Sequence, residues 1–403
     1  MRIGYISILP ADDIHAWSGL NYHILQCLRT QGYEVDLIGP LFDRSRSTIS
    51  KVKAGVRSLV SRQRHLWTRD ISLLRHYARA AATRLAGQHY DLLFSPGTEP
   101  VAFLPNTIKT PLIFWTDAPF GAMLGYYPWY SGLAAPSVRD AMQCDQLALA
   151  RATAAVYSSP WAANTAIRAH HADPAKVTII PFGANVTAKI TPAELESACE
   201  QRRQAPWRFL FVGVEWERKG GDKAVAVVAE LIRRGYPSEL VVVGCDPRKS
   251  GALLPTFVKI EGFLDKRTPE GLARLNELYR STLFFLMPSV AEAYGLVFCE
   301  ANANGVPCLS SATGGIPAIV ENDVNGYLFP PEATPAEFAE YIISNVAPAR
   351  YRPLASGSLA AYESKLNWLA SGAKIKTLID RIVPGIPEPA PLVTPTGLIA
   401  AAP

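Results

Sequence analysis

Two glutamates, Glu292 and Glu300, lie on either side of Gly295, where an apolar strand pattern ends and an apolar helical pattern begins. The first N–H groups of a helix lack intrahelical partners and, together with the helix dipole, bind phosphate oxygens. Here they belong to Gly295, Leu296 and Val297, and the glycine leaves room for close approach. The Glu300 carboxylate can accept hydrogen bonds from two neighbouring hydroxyls of a ribose, and Glu292 can accept from sugar hydroxyls beyond the phosphate. The pattern suits a sugar diphosphate, although spacing alone equally allows two ordinary surface charges.

Short apolar strands alternate with helical patterns in both halves of the chain, which predicts α/β domains with parallel sheets covered by helices. In the first half the predicted strands are Arg2–Ser7, Glu34–Gly39, Asp91–Ser95, Pro111–Trp115, Thr153–Ser158 and Val177–Pro181. In the second half they are Arg208–Gly213, Glu239–Gly244, Phe257–Gly262, Leu283–Pro288, Val306–Ser311 and Gly326–Phe329. Two such doubly wound units place the carboxyl ends of both sheets around one crevice, where open α/β sheets bind ligands.

The chain has 403 residues, which is more than one hydrophobic core usually serves, so two domains are expected. We predict a first domain over 1–187, a linker over 188–206 and a second domain over 207–365. A helix over 366–383 is predicted to cross back to the first domain, and a proline-rich tail follows over 384–403.

The composition is that of an ordinary globular protein, with 49% hydrophobic and 19% charged residues. No apolar run approaches the roughly 20 residues that cross a bilayer, so a cytoplasmic protein is expected. The six cysteines are scattered without a CxxC pair, which predicts reduced thiols and neither a zinc site nor a disulfide framework.

The segment from Leu41 to Tyr90 is basic, with eleven Lys or Arg residues against Asp43 and Asp70. One interpretation is a pair of helices with solvated basic faces. The other is contact with an anionic surface, either membrane phospholipid at the inner face of the plasma membrane or a lipid-diphosphate acceptor. A nucleic-acid partner is not expected, because the segment carries no recognisable reading motif.

The segment from Met287 to Pro307 resembles the signature of glycosyltransferase family 4, the group 1 glycosyltransferases, in which seven residues separate two glutamates. The resemblance covers most of the chain and includes Gly314-Gly315, Asn325-Gly326, Tyr157–Ala162 and Lys176–Asn185. It implies a GT-B fold, which is two facing Rossmann-like doubly wound domains with an interdomain cleft. It also implies a nucleotide-sugar donor, retention at the anomeric carbon, and no metal or other cofactor.

The resemblance assigns roles to individual residues of the second half. It implies that Glu292 contacts the transferred sugar, that Glu300 binds the donor ribose, and that the amides of Gly295 and Leu296 hold the diphosphate. The neighbouring Tyr294 and Val297 belong to the same donor-binding segment. Gly262 and Phe263, at a strand end, match the region in which relatives hold the nucleotide base through backbone contacts.

Relatives also use a basic pair after the first strand of the second half to neutralise the leaving diphosphate. Lys219 occupies the lysine position, but the usual arginine position holds Val214. The resemblance to a subset with the form W-E-R-K-G-G implies that Arg218 replaces that arginine. A site without a metal needs such cations to stabilise the developing diphosphate charge.

The acceptor side is expected in loops that follow strands of the first half. Gly19 opens the first helix and would let the backbone approach the diphosphate, unless it is a simple turn residue. Asp117 follows a strand end and is our candidate for orienting the acceptor hydroxyl, with a helix cap as the competing explanation. His15 is a second candidate. The aromatic cluster Tyr126–Tyr130 suits either stacking on sugar or lipid, or ordinary packing.

These residues predict an enzyme that moves a hexose from a nucleotide-diphosphate sugar to a sugar or lipid-linked acceptor, in cell-surface polysaccharide or glycolipid assembly. The family mechanism implies that the leaving phosphate takes the acceptor proton, so no dedicated protein base is needed. Two alternatives stay open: a sugar-nucleotide epimerase and a non-catalytic sugar-nucleotide-binding subunit.

Overall fold

The computed structural model describes residues 1–14, 16–185, 189–251 and 253–384. His15 and almost all of the predicted proline-rich tail lie outside the described residues.

The first domain is built on a six-stranded parallel sheet with the order β2-β1-β3-β4-β5-β6. Its strands are β1 (Arg2–Tyr5), β2 (Glu34–Leu37), β3 (Leu92–Ser95), β4 (Leu112–Thr116), β5 (Ala154–Tyr157) and β6 (Val177–Ile179). Strands β3, β4 and β5 are buried along their whole length, as continuous apolar runs in a parallel sheet require. The covering helices are α1 (Leu20–Thr30), α2 (Arg44–Ser61), α3 (Ile71–Leu85), α4 (Phe120–Met123), α5 (Ala135–Arg151) and α6 (Pro160–His170).

The second domain repeats this plan with the strand order β12-β11-β10-β7-β8-β9. Its strands are β7 (Trp207–Val212), β8 (Ser238–Val243), β9 (Val258–Gly262), β10 (Phe284–Leu286), β11 (Cys308–Ser311) and β12 (Gly326–Phe329). Its helices are α8 (Gly221–Arg233), α9 (Pro269–Arg280), α10 (Leu296–Ala303), α11 (Pro335–Asn345) and α12 (Pro348–Lys365). The prediction of two doubly wound parallel sheets is confirmed, with strand bounds within a few residues of those predicted.

Both sheets reverse their strand order beside their first strand, between β1 and β3 and between β7 and β10. At such a switch point the loops that follow the two neighbouring strands diverge to opposite faces and leave a crevice for a ligand. The loop after β7 carries Arg218 and Lys219, the loop after β10 carries Glu292, and the loop after β1 leads to Gly19.

The chain passes twice between the domains. The first crossing leads from β6 to helix α7 (Pro192–Arg202), and the second leads from α12 to the last helix, α13 (Trp368–Ile382), which packs on α1. The crossings meet where the Ala184 N–H donates to the Leu366 carbonyl at 2.8 Å. Close by, the Ser371 hydroxyl donates to the Pro181 carbonyl at 2.7 Å. Over the described part of the chain, no helix is both long enough and apolar enough to span a bilayer.

Candidate active site

The loops at the switch point of the second sheet bring Glu292, Lys219 and Arg218 together. The Lys219 ammonium donates a hydrogen bond to the Glu292 carboxylate, and Arg218 Nη1 lies 3.6 Å from the same oxygen. The stem of Lys219 crosses Gly213 at the end of β7, since a Cβ there would lie 3.1 Å from Lys219 Cγ. Glu292 is 7% exposed and Lys219 is 8% exposed, so the ion pair is almost completely excluded from solvent. One carboxylate and two cations therefore share the crevice that was predicted to hold a sugar diphosphate.

Arg218 is oriented by both domains. Its Nη1 donates to the Ala291 carbonyl at 2.8 Å, and its Nε donates to the Glu215 carboxylate. Its guanidinium carbon lies 5.0 Å from the ring centre of Tyr127 and 5.6 Å from that of Trp129, both in the first domain. The guanidinium thus lies over two aromatic rings of the first domain, while its Nη1 is 3.6 Å from the Glu292 carboxylate.

The start of α10 depends on the glycine that precedes it. Gly295 is the residue before the helix and has φ +100°, a conformation that a side chain disfavours. A Cβ at this position would also lie 2.7 Å from Phe298 Cδ2. Glycine is therefore required both by the backbone and by the space around it, and the amides that follow form the N-terminus of the helix.

The loop that carries Glu292 is fixed from two sides. The Gly315 N–H donates to the Glu292 carbonyl at 3.0 Å, and a Cβ at Gly314 would collide with that carbonyl. From the first domain, the Glu292 N–H donates to the Tyr126 hydroxyl at 2.9 Å and the Ala293 N–H donates to the Tyr127 hydroxyl at 2.7 Å. The aromatic cluster thus packs against the donor loop, with two of its hydroxyls accepting from that loop's backbone.

Glu300 lies on α10, is 1% exposed, and is fully paired. Lys266, from the loop after β9, donates to its Oε1, and the Tyr279 hydroxyl donates to its Oε2 at 3.2 Å. Burial lowers the pKa of His23, in the first domain, to about 4, and the charge of Lys266 adds to that effect. Glu300 is therefore buried, and a lysine pairs with its carboxylate where a ribose is expected.

Asp117 follows β4, and the structure does not support its interpretation as a helix cap. The residue before α4 is Pro119, which makes no side-chain cap, whereas Asp117 Oδ1 accepts from the Ala118 N–H at 2.8 Å. Burial raises the pKa of Asp117 to about 6, partly opposed by the Ala118 N–H and by a hydrogen bond with the side chain of Trp17.

The charges of Asp117 and Glu292 both act on Tyr127. Burial is the main cause that raises the pKa of Tyr127, and both carboxylates add to it through their charge. Tyr127 also accepts a hydrogen bond from the Ala293 N–H, on the loop that carries Glu292.

A buried charge network lies beside Asp117 in the first domain. Asp145 is fully buried and accepts from Arg69 Nη1 at 2.7 Å, from the Thr98 hydroxyl at 2.7 Å and from the Phe120 N–H at 2.6 Å. Burial alone would raise the pKa of Asp145, but these donors and the Arg69 charge bring it below its usual value. Arg69 Nη2 also pairs with Glu99 at 2.8 Å. The network fixes the loop after β3 and the start of α4, next to Asp117.

The other predicted site residues lie in segments that follow or end β1, β9 and β10. Gly19 precedes α1, with the Ser18 carbonyl accepting from Asn185 Nδ2 at 2.8 Å. Gly262 ends β9 and Phe263, 64% exposed, follows it on the loop that carries Lys266. The Tyr294 hydroxyl donates to the Phe182 carbonyl at 2.8 Å, so this side chain joins the domains and only its backbone is available to a donor.

Sequence reasoning did not identify Lys266, the role of Tyr126 and Tyr127, or the Asp145 network. Lys266 had a usable signal, because it follows Gly262-Phe263 by three residues in the predicted base-binding loop. No three His, Cys, Asp or Glu side chains are grouped to hold a metal within the ranges that the structure describes.

Comparison with known proteins gives the class that this fold and cleft define. Of the solved structures, a sucrose-phosphate synthase from Thermosynechococcus elongatus superimposes with a TM-score of 0.68 at 18% identity, over 95% of this chain and 99% of that one. HepE from Anabaena, solved in complex with UDP-glucose, superimposes with a TM-score of 0.59 at 16% identity, over 94% of this chain and 100% of that one. The fold is GT-B.

Family models place the sequence within this class. The model for group 1 glycosyl transferases matches residues 206–347, and that for the glycosyl transferase 4-like domain matches residues 21–183. The chain belongs to the group 1 glycosyltransferases, family 4.

Curated relatives carry the name D-inositol 3-phosphate glycosyltransferase. The protein of Corynebacterium diphtheriae is 29% identical over 200 residues, which is 46% of each chain. That of Corynebacterium efficiens is 24% identical over 94% of this chain and 95% of its own. The chain spans about half the length of the first curated relatives it matches.

Proposed function

We propose that the protein transfers a hexose from a nucleotide-diphosphate sugar to a hydroxyl of a sugar or lipid-linked acceptor, with retention at the anomeric carbon and without a metal. The observation that carries the proposal is the pairing of the two donor-site carboxylates. Glu292 is held by Lys219 and Arg218, and Glu300 is held by Lys266, on the two sides of the α10 N-terminus.

The charged groups of these ion pairs can each bind a part of a nucleotide-sugar donor. A diphosphate at the start of α10 offers negative charge to Lys219 and Arg218, which would exchange part of their contact with Glu292 for phosphate oxygens. Glu292 is then available to sugar hydroxyls and Glu300 to the ribose, because both carboxylates accept hydrogen bonds. The site thus replaces internal ion pairs with donor contacts, which limits the desolvation cost of binding.

In the proposed step, the bond between the anomeric carbon and a diphosphate oxygen breaks while the acceptor oxygen bonds to the same face of that carbon. The acceptor proton passes to the departing diphosphate, and Lys219 and Arg218 stabilise the charge that grows there. Glu292, adjacent to both cations, is better suited to positioning the sugar than to attacking it. Asp117, which directly follows β4 in the first domain, orients the acceptor hydroxyl.

For the acceptor, we propose a sugar, a lipid-linked glycan or a phosphorylated polyol. The last class is included because curated relatives are named for D-inositol 3-phosphate. A uridine diphosphate sugar is the first donor to test, since HepE was solved with UDP-glucose. We further propose that the protein acts in cell-surface polysaccharide or glycolipid assembly, as a peripheral protein at the inner face of the plasma membrane. Its six unpaired cysteines suit a reducing compartment.

The test begins with thermal shift against uridine, guanosine and adenosine diphosphate sugars. A donor at 100 times its dissociation constant is expected to add about 2.7 kcal/mol to the free energy of unfolding. The donor found is then incubated with the acceptor panel, in the presence of a chelator, while nucleoside diphosphate release and the anomeric configuration of the product are measured.

Transfer with retained configuration and an unchanged rate in the chelator supports the proposal. Conversion of the donor into another sugar nucleotide without diphosphate release would instead identify an epimerase. Donor binding without turnover on any acceptor would identify a binding subunit.

A further inference from the structure

Helix α2 carries its aliphatic side chains on the face directed away from the protein. Ile49, Val52, Val56, Leu59 and Val60 are 59, 61, 56, 82 and 83% exposed. At 100° per residue these five positions form one stripe along the helix. Aliphatic surface left in water costs about 25 cal/mol per Å², so such a stripe calls for a physical cause.

The opposite face of α2 is small and polar, and this is the face that packs. Ser47, Ser50 and Ala54 are buried against the domain, and the Ser47 hydroxyl lies 3.1 Å from the Tyr77 hydroxyl of α3. The helix is therefore amphipathic in the reverse sense from an ordinary surface helix, because its apolar side is the one in solvent. Packing inside the domain does not explain the stripe.

Basic residues border the stripe along both edges. Helical spacing places Arg44 and Lys51 on one edge and Arg46, Lys53 and Arg57 on the other. No acidic residue occurs in the sequence between Asp43 and Asp70, and Asp70 pairs with Lys53 at 2.8 Å. An apolar stripe between two rows of cations matches the interface of an anionic bilayer, with acyl chains beneath phosphate headgroups.

A second copy of this chain is a poor occupant for the same surface. Two such helices facing each other would bring ten cations together without an acidic residue between them on α2. A lipid surface with anionic headgroups supplies the missing negative charge.

The C-terminal end of α2 is tied to the candidate active site. Arg64, just beyond the helix, donates to the carbonyls of Pro128 and Trp129 at 2.8 and 3.0 Å. Trp129 in turn lies over the guanidinium of Arg218. A bilayer that holds α2 would therefore lie beside the acceptor side of the cleft.

We propose that α2 docks into the interface of an anionic membrane, with Ile49, Val52, Val56, Leu59 and Val60 among the acyl chains and the flanking Arg and Lys residues at the headgroup phosphates. Docking brings a membrane-held acceptor to the cleft. This last consequence rests on the proposed function, whereas docking itself is measured without turnover.

The experiment is flotation of the full chain with vesicles of phosphatidylglycerol, compared with vesicles of phosphatidylcholine. The variant Leu59→Ser/Val60→Ser interrupts the stripe at its two most exposed positions. Leu369→Ser, at a residue of α13 that is 73% exposed, is the matched control. A third variant, Arg46→Gln/Arg57→Gln, removes two cations from one edge.

We expect the wild type to float with the anionic vesicles and to be released by high salt. Leu59→Ser/Val60→Ser should lower the partition coefficient at least tenfold, by an order-of-magnitude argument from buried aliphatic area, while Leu369→Ser leaves it unchanged. Arg46→Gln/Arg57→Gln should lower it roughly tenfold or more, on anionic vesicles only. All these residues lie at the surface, so unchanged melting temperatures are expected.

The proposal is overturned if the stripe variant floats as well as the wild type, or if binding does not depend on anionic lipid. It is also overturned if the wild type sediments as a dimer that Leu59→Ser/Val60→Ser dissociates and neither protein floats. Nucleoside diphosphate release with a water-soluble acceptor should be equal in wild type and stripe variant, so a failure of docking is distinguishable from a failure of the proposed function.

Discussion

Lys219 provides the sharpest test of how the site works. Its ammonium is held by Glu292 in a nearly dry crevice, with Arg218 3.6 Å from the same carboxylate oxygen. Lys219→Met keeps the length of the stem, which crosses Gly213, and removes only the charge. The expected result is a loss of turnover with little change in the KM of the donor, because the lysine exchanges one anion for another on binding and gains most as the diphosphate leaves.

The size of the loss follows from the contacts. Removing one preorganised donor from an oxyanion site costs about 10² to 10³ in kcat. Arg218 remains beside the diphosphate position, so the lower value, about 100-fold or 2.7 kcal/mol, is expected. The free energy of unfolding should fall by less than the roughly 3–5 kcal/mol of a buried pair that loses one partner, since Glu292 keeps Arg218.

The assay is the initial rate of nucleoside diphosphate release at saturating donor and acceptor. Lys223→Met is the matched control, because Lys223 lies four residues after Lys219, in the first turn of α8, and donates to the Pro331 carbonyl at 2.8 Å, on the exterior. A kcat for Lys219→Met within about threefold of wild type, with the control also normal, would refute the assignment of charge stabilisation to this residue.

Three further changes test the rest of the site. Glu300→Gln should raise the KM of the donor about ten- to a hundredfold with little effect on kcat, since it removes a charged acceptor of about 1.5–3 kcal/mol from the ribose position. Asp117→Asn should remove a limb of the pH–rate profile near pH 6, because the pKa of this carboxyl is raised to about 6 by burial. A raised pKa means that the folded protein binds this proton more tightly than the unfolded chain, so wild type should lose stability relative to Asp117→Asn as pH rises from 3.8 to about 6. Gly295→Ala should cost about 1–3 kcal/mol of stability, measured by denaturant unfolding, because φ is +100° and Phe298 occupies the Cβ space.

Each of these has an opposing outcome. A Glu300→Gln variant with an unchanged donor KM would place the ribose elsewhere. Parallel pH profiles for wild type and Asp117→Asn would remove Asp117 from the acceptor role, and chemical denaturation at the two ends of the pH window checks the stability sign independently. Gly295→Ala as stable as wild type would mean that the start of α10 adapts, and an unchanged dissociation constant of a nucleoside diphosphate would then show that close approach of the phosphate does not need this glycine.

The sheets were predictable because each strand is a short apolar run, and parallel strands buried on both faces need such runs. The positions of the loops that carry the charged site residues were also predictable, since Glu292 and Lys219 each follow the carboxyl end of a predicted strand. Contacts between distant segments were not. Lys266 meets Glu300 only after the second domain has folded, and Tyr127 meets the Ala293 backbone only after the two domains have packed against each other.

Helix α2 shows the limit of periodicity in a single element. The spacing of Ile49, Val52, Val56, Leu59 and Val60 reads as a core-facing stripe, and sequence reasoning noted only the basic residues around it. A pattern gives the angle between residues but not which side of the helix meets the protein. That choice is made by the fit of Ser47, Ser50 and Ala54 against the domain, which depends on the shape of the surface that receives them.

The two crossings between the domains, joined at Ala184 and Leu366, also constrain how the cleft can move. One covalent tether would let the domains swivel freely, whereas two tethers side by side define a rotation axis and oppose twisting and sliding. Opening would then be a single hinge motion that separates Tyr126 and Tyr127 from the donor loop and returns them to the same partners. Lengthening one crossing by a residue while leaving the other unchanged would tilt that axis. The alignment of Tyr126 and Tyr127 with the donor loop therefore depends on the lengths of two connecting segments in which no site residue is predicted.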